Sequence, residues 1–180
     1  MITRLGGALA DTEFVMTNDP RFVADVMLGK LTKWLRVMGI DVSYNPDATD
    51  AQLLRCAART GSVILTRDRR LLYRQGPVQG LYIESNYYHE QARQVVQAFH
   101  LGNRIRVFSR CLRCNAPLRA IPKALVVDRV PPYVYATQLT FKHCARCDRF
   151  YWGGTHRDNM LRQLKAMLSG LATISSETPG

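Results

Sequence analysis

Residues 62–72 read SVILTRDRRLL. Val63, Ile64 and Leu65 form a short, continuous run of apolar, mostly β-branched residues. Such a run marks a strand buried on both faces, as in a parallel sheet. It ends at Thr66, and Asp68 then stands among Arg67, Arg69 and Arg70. A surface salt bridge would explain that cluster, and so would a metal ligand at the mouth of a nucleic-acid cleft. What else reaches the same end of the sheet decides between them.

Upstream, RFVAD (21–25) is a second apolar run ending in an acid. VMLGKLTKWLRVMG (26–39) puts Leu28, Leu31, Leu35 and Met38 on one helical face, with Gly39 as its C-terminal cap. IDVSYN (40–45) reads as a strand. PDATDAQLLRCAARTG (46–61) reads as a helix, with Thr49 or Asp47 at its N-cap and Gly61 at its end. Downstream come a short helix in RRLLYRQ (69–75), a strand in GLYIES (80–85) and an amphipathic helix in YHEQARQVVQAFHL (88–101). Strand and helix thus alternate over residues 21–101. The expected fold is α/β, a mostly parallel sheet with helices on both faces.

After residue 102 the pattern changes to short β-like pieces broken by Pro and Gly, then a last helix in HRDNMLRQLKAMLSG (156–170). The expected organisation is an N-terminal arm (1–19), an α/β domain (20–101), a small β-rich unit with the C-terminal helix (102–168) and a flexible tail (169–180).

The chain of 180 residues carries a net charge of +11, which favours anionic partners. Residues 101–165 hold thirteen Lys and Arg against three acids, and residues 21–100 hold eleven against seven. The second half is therefore the expected electrostatic contact surface, and the carboxylates gather in the first. No apolar run approaches the ~20 residues of a membrane span. Asp11 and Glu13 interrupt the N-terminal apolar stretch, so it does not read as a secretion leader. The expected compartment is the cytoplasm, with no membrane partner.

Of five cysteines, Cys56 reads as a structural thiol in a helix, and four form two pairs, Cys111-x-x-Cys114 and Cys144-x-x-Cys147. Four thiolates in two such pairs complete a tetrahedral Zn²⁺ shell, leaving no open position for catalysis. Asn115 and Asp148 follow the second Cys of each pair, and both residue types tolerate the left-handed conformation a knuckle needs there. RVFSR (106–110) and RFYW (149–152) read as the strands that carry the knuckles.

Asp25 and Asp68 each end, or lie just beyond, an apolar strand. In a parallel sheet the carboxyl ends of strands share one functional edge. Acids at that position are hard to explain as helix caps. Asp41, Asp47 and Asp50 belong near the same edge on spacing alone, yet Asp41 could start a strand, Asp47 could cap a helix and Asp50 suits a first helical turn. Carboxylates gathered there would repel one another without a cation, and Mg²⁺ or Mn²⁺ suits oxygen ligands. Lys30, Lys33 and Arg36 form a basic helix stripe.

FVADVMLGKLTKWLRVMGIDVSY, TDAQLLRCAARTGSVILTRDRRL, FSRCLRCNAPL and CARCDRFYWGGTH, in that order, resemble the mut-seven C-terminal ribonuclease family. The resemblance covers roughly residues 21–165 and implies a PIN-like α/β/α nuclease domain with an appended zinc ribbon. It implies divalent-metal-dependent cleavage of RNA, with Asp25, Asp50 and Asp68 in the acidic positions as Mg²⁺ or Mn²⁺ ligands. Cys111, Cys114, Cys144 and Cys147 match the zinc ligands. For the fourth acid that PIN nucleases usually supply, the strand LYIESNYY offers only Glu84. Lys30, Arg36, Arg69, Arg110 and Arg113 are the cations expected on nucleic acid. A narrower version of this reading is a toxin held by an antitoxin. The alternative is a non-catalytic module that binds RNA or a ribonucleoprotein through the ribbon, with Tyr133, Tyr135, Phe150, Tyr151 and Trp152 offering rings for base stacking.

Overall fold

The structure, a computed structural model, describes residues 2–3, 19–74 and 76–170. In chain order the elements are β1 (Ile2–Thr3), β2 (Phe22–Ala24), α1 (Gly29–Val37), β3 (Val42–Tyr44), α2 (Asp50–Thr60), β4 (Val63–Thr66), α3 (Arg69–Arg74), β5 (Gly80–Tyr82) and α4 (Tyr88–Ala98). They continue with β6 (Arg119–Ile121), α5 (Pro132–Thr137), β7 (Phe141–Cys144), β8 (Arg149–Trp152) and α6 (Thr155–Leu168).

Strands β5, β4, β2 and β3 lie side by side in that order and run parallel, and β1 joins β5 antiparallel. Of the arm expected over residues 1–19, Ile2–Thr3 is therefore a strand on the sheet, and residues 4–18 lie outside the described residues. The tail beyond residue 170 lies outside them too.

Side chains alternate across a strand, and the core follows that alternation. Phe22, Ala24, Val63, Leu65 and Leu81 pack with α1, α4 and α6 on one face. Val23 and Ile64 pack with Leu53 and Ala57 of α2 and Leu71 of α3 on the other. All of β4 is buried, as its unbroken apolar run required. The result is three layers, helix over sheet over helix. The last helix returns to this core, since Met160, Leu164, Met167 and Leu168 of α6 pack in the same cluster as α1 and α4.

Local sequence explains the helix ends. Thr49, not Asp47, is the N-cap of α2, accepting from Gln52 N while the Gln52 side chain accepts from Thr49 N. Gly61 closes α2 in the left-handed region at φ 64°. Gly39 follows α1 at φ 83°, where a Cβ would sit 2.3 Å from the Arg106 carbonyl oxygen, so only glycine fits there.

Beyond residue 102, β6, β7 and β8 form a separate antiparallel sheet over a small core of Val126, Val130 and Phe141. Two expectations fail here. RVFSR is not a strand, because its backbone amides bond to the end of α1, with Arg106 N to Met38 O and Phe108 N to Val37 O. PYVYAT is helix rather than β-like, because Pro132 presets the φ of a first helical turn. Among the described residues no helix is long and apolar enough to cross a membrane.

Candidate active site and metal centre

Because β2, β3 and β4 are parallel, the segments after them emerge on one edge. Asp25 follows β2, Asp50 opens α2 after β3, and Asp68 lies two residues beyond β4. Glu84 follows β5 on the same edge and is exposed. Each parallel strand thus leads to at least one acid, and β3 leads to both Asp47 and Asp50.

Asp25 is 8% exposed and holds two short hydrogen bonds. Its Oδ1 accepts from Val26 N at 2.6 Å and its Oδ2 from Thr66 Oγ1 at 2.6 Å. The same Thr66 hydroxyl accepts from Asp68 N at 2.9 Å. Thr66 is fully buried and ties the two acids into one chain of hydrogen bonds. Asp68 Oδ1 accepts from Arg70 N at 2.7 Å and caps the first turn of α3. Capping thus does engage both acids, contrary to the expectation from sequence, because a 3-10 turn and α3 begin right after them. Asp50 stands apart, half exposed and 3.8 Å from Arg74. Such a pair is worth about 0–1 kcal/mol, so it holds Asp50 weakly.

Thr66 was the residue that sequence reasoning passed over. Its signal was present: a hydroxyl ending a run otherwise wholly apolar and buried. Arg67 was passed over as well, and its buried Nε has no hydrogen-bond partner among the described residues.

The cations divide between the two edges of the sheet. Lys30 and Arg69 are exposed on the acid edge, and the Arg69 guanidinium lies 4.2 Å over the Tyr82 ring. Arg36 and Arg110 lie toward the opposite edge, with the exposed Arg113 beside the first Cys pair. The expectation that Arg36 faces phosphates is corrected. It is 5% exposed, and its guanidinium donates to the carbonyls of Val42, Leu112 and Arg113. Burial lowers its pKa, while the thiols of Cys111 and Cys114 and the carboxylate of Asp41 oppose that shift. Arg110 is similarly engaged, donating to Gly39 O and Asn115 O and pairing with Asp41 at 3.0 Å. Asp41 also accepts from Asn115 Nδ2 at 2.6 Å. These bonds fasten the first Cys pair to the turn between α1 and β3.

The sulfurs of Cys111, Cys114, Cys144 and Cys147 all lie within 4.8 Å of one another, with Cys111–Cys147 at 3.5 Å and Cys114–Cys144 at 3.3 Å. A tetrahedron with Zn–S of about 2.3 Å has S···S edges of about 3.8 Å, so the set could hold a metal such as zinc. Asn115 and Asp148 take φ of 67° and 54°, the left-handed turn expected of each knuckle. The thiols are poised unequally. Burial raises the Cys111 pKa, but hydrogen bonds from Tyr151 Oη and the Cys114 and Arg113 amides outweigh it and bring it to about 6. Burial and the neighbouring thiols push Cys147 up to about 12. Four thiolates in this space need a cation. Among the described residues this is the only group of three or more His, Cys, Asp or Glu ligand atoms so close together.

The aromatic residues also divide. Tyr151 bonds Cys111 Sγ at 3.1 Å, and Tyr135 and Phe150 pack on the small core, so these rings serve the fold. Tyr133 and Trp152 are exposed. Cys56 of α2 packs against the cluster of Val23, Leu53 and Ile64 as a structural thiol.

The family model described as Mut7-C RNAse domain matches residues 20–164. No curated protein and no solved structure matches the chain.

Proposed function

The chain belongs to the Mut7-C RNAse domain family, and from that premise we propose that it is a divalent-metal-dependent ribonuclease acting at the carboxyl edge of its sheet. The family suggests a ribonuclease-like function and RNA as substrate. The observation that carries the finer reading is the joining of Asp25 and Asp68, from adjacent strands, through the Thr66 hydroxyl.

The donor set fits Mg²⁺ or Mn²⁺, because carboxylate oxygens are the hard ligands these ions take. Asp25, Asp50 and Asp68 would hold the ion, with Asp50 leaving its weak contact with Arg74. A bound ion would supply Lewis acidity to a phosphoryl oxygen and an acidified water as nucleophile. The chain's own groups do the rest. Thr66 and Val26 N fix the Asp25 carboxylate, which keeps its remaining lone pairs for the ion. Lys30 and Arg69 meet phosphates on either side of the bond to be cut, and Tyr82 keeps Arg69 at that edge. The four Cys hold a structural zinc, since no position is left open. Residues 20–101 supply the acid edge, and residues 102–168 supply the ribbon and closing helix.

A binding role on RNA or a ribonucleoprotein without cleavage is the second reading. It is favoured by the absence, among the described residues, of a close cluster of three acids at that edge. The discriminating experiment is cleavage of a labelled single-stranded RNA by the purified chain. Cleavage is expected with Mn²⁺ and is expected to fall at least about a hundredfold in Asp68→Asn, more than is usual for loss of an outer-sphere partner. Equal cleavage by both proteins would assign the activity to a contaminant. No cleavage with salt-dependent RNA binding, indifferent to Asp68→Asn, would favour the second reading.

A further inference from the structure

The sheet edge opposite the acids carries a cavity of about 330 Å³ between the amino-terminal ends of β2, β3 and β4 and the Cys knuckles. Small-molecule sites run from roughly 300 to 1,000 Å³, so it suits a small polar group. Arg21, Arg110 and Arg146 line it against one carboxylate, Asp41. Asp41 is spent on Arg110 and Asn115. Arg21 and Arg146 remain. Both are exposed, and neither side chain has a hydrogen bond or ion pair among the described residues.

They come from opposite walls. Arg21 immediately precedes β2, and Arg146 stands inside the second Cys pair. The Ser43 hydroxyl lies in the same lining. The carboxyl end of α2, at Thr60, also faces the cavity. Its macrodipole contributes about half a negative charge, and Cys114 of the four-thiolate cluster lines the same wall, so Arg21 and Arg146 face these negative groups as well as the open cavity. Guanidinium forks match phosphate oxygens in two-point contacts. The lining is more polar than apolar, with Thr60, Ser62 and Asn115 beside the charged groups.

We propose that this cavity is a phosphate-binding site, separate from the acid edge, in which Arg21 and Arg146 grip one phosphate group. The source is either the backbone of an RNA strand or a free nucleoside monophosphate. With the strand, the ribbon would hold substrate on the far side of the sheet from the proposed cleavage site. The phosphate site itself does not depend on the metal reading.

The test measures binding to the full chain, without added divalent cation, of three probes: inorganic phosphate, adenosine 5′-monophosphate and a fluorescent single-stranded RNA. Wild type is compared with Arg21→Gln/Arg146→Gln. Both side chains are exposed and unbonded, so folding is expected to persist, as checked by circular dichroism and zinc content. RNA binding is expected to weaken about tenfold, with a salt slope shallower by about 0.7, one phosphate contact on a single strand. Weakening of the RNA alone assigns the site to backbone phosphate, and weakening of the monophosphate alone assigns it to a free nucleotide. Unchanged binding of all three probes overturns the proposal. So does a variant whose only change is lost zinc, which would reduce the arginines to counter-ions of the thiolates. Cleavage is read separately on wild type and Asp68→Asn with Mn²⁺, so the two readings fail independently.

Discussion

Thr66 is the smallest feature on which the acid edge depends. Its hydroxyl both donates to Asp25 Oδ2 and accepts from Asp68 N, so one buried oxygen ties the Asp25 carboxylate to the main chain at Asp68. Thr66→Val keeps the shape and removes both bonds. Leaving a buried acceptor and donor unpaired should cost about 2 kcal/mol, read by urea denaturation. If the bonds also orient the acids, kcat should fall roughly 10–100-fold, as for other outer-sphere partners of metal ligands. A stability loss with kcat intact would make Thr66 a structural residue only. Arg36 makes the converse case. Its charge and helical position suggested a phosphate contact, yet it is buried because three backbone carbonyls, one of β3 and two of the first knuckle, converge on it. Arg36→Met should cost about 2–4 kcal/mol through those orphaned acceptors and leave RNA affinity nearly unchanged. Only one of the three carbonyls, that of Val42, is near in sequence, and the partners 76 and 77 residues away leave no local signal.

Among the elements, those with a clear period were legible. The apolar run of β4, the capped helix α2 and the helical face of α1 all stand where periodicity and cap chemistry put them. The positive φ of Asn115 and Asp148 follows from residue type alone. Segments whose backbone bonds go to distant partners were not legible. RVFSR has a strand's composition, but its amides are spent on the end of α1. The four-cysteine cluster gives the element-scale prediction. The purified chain should carry one zinc, and Cys144→Ser should lower that content and unfold β6–β8. Full zinc content in that variant, by elemental analysis, would contradict the assignment.

Across the whole molecule, the acids and the first Cys knuckle occupy opposite edges of one parallel sheet, and α6 returns from the ribbon to close the helical layer over α1 and α4. Ending the chain at residue 154 would remove Met160, Leu164, Met167 and Leu168 from that core. At about 1.5–3 kcal/mol for each buried side chain, the loss rivals the whole stability of a small domain, about 5–15 kcal/mol. The truncated chain is therefore expected to lose cooperative unfolding, and a sharp transition near the full-length midpoint would show the helix to be dispensable. Strand order follows from topology and places Asp25 and Asp68 side by side. Spacing placed Asp50 near the same edge, and only the family resemblance singled it out from Asp41 and Asp47, because α2 opens after a turn whose path no local pattern fixes. The acid edge as a metal site is the claim on which the function rests. An anomalous difference map of crystals soaked in Mn²⁺ addresses it directly. The expected result is a peak within about 2.0–2.3 Å of carboxylate oxygens of Asp25, Asp50 and Asp68, the range of small hard divalent ions. A map with no peak at that edge, at a Mn²⁺ concentration that supports cleavage, would contradict it.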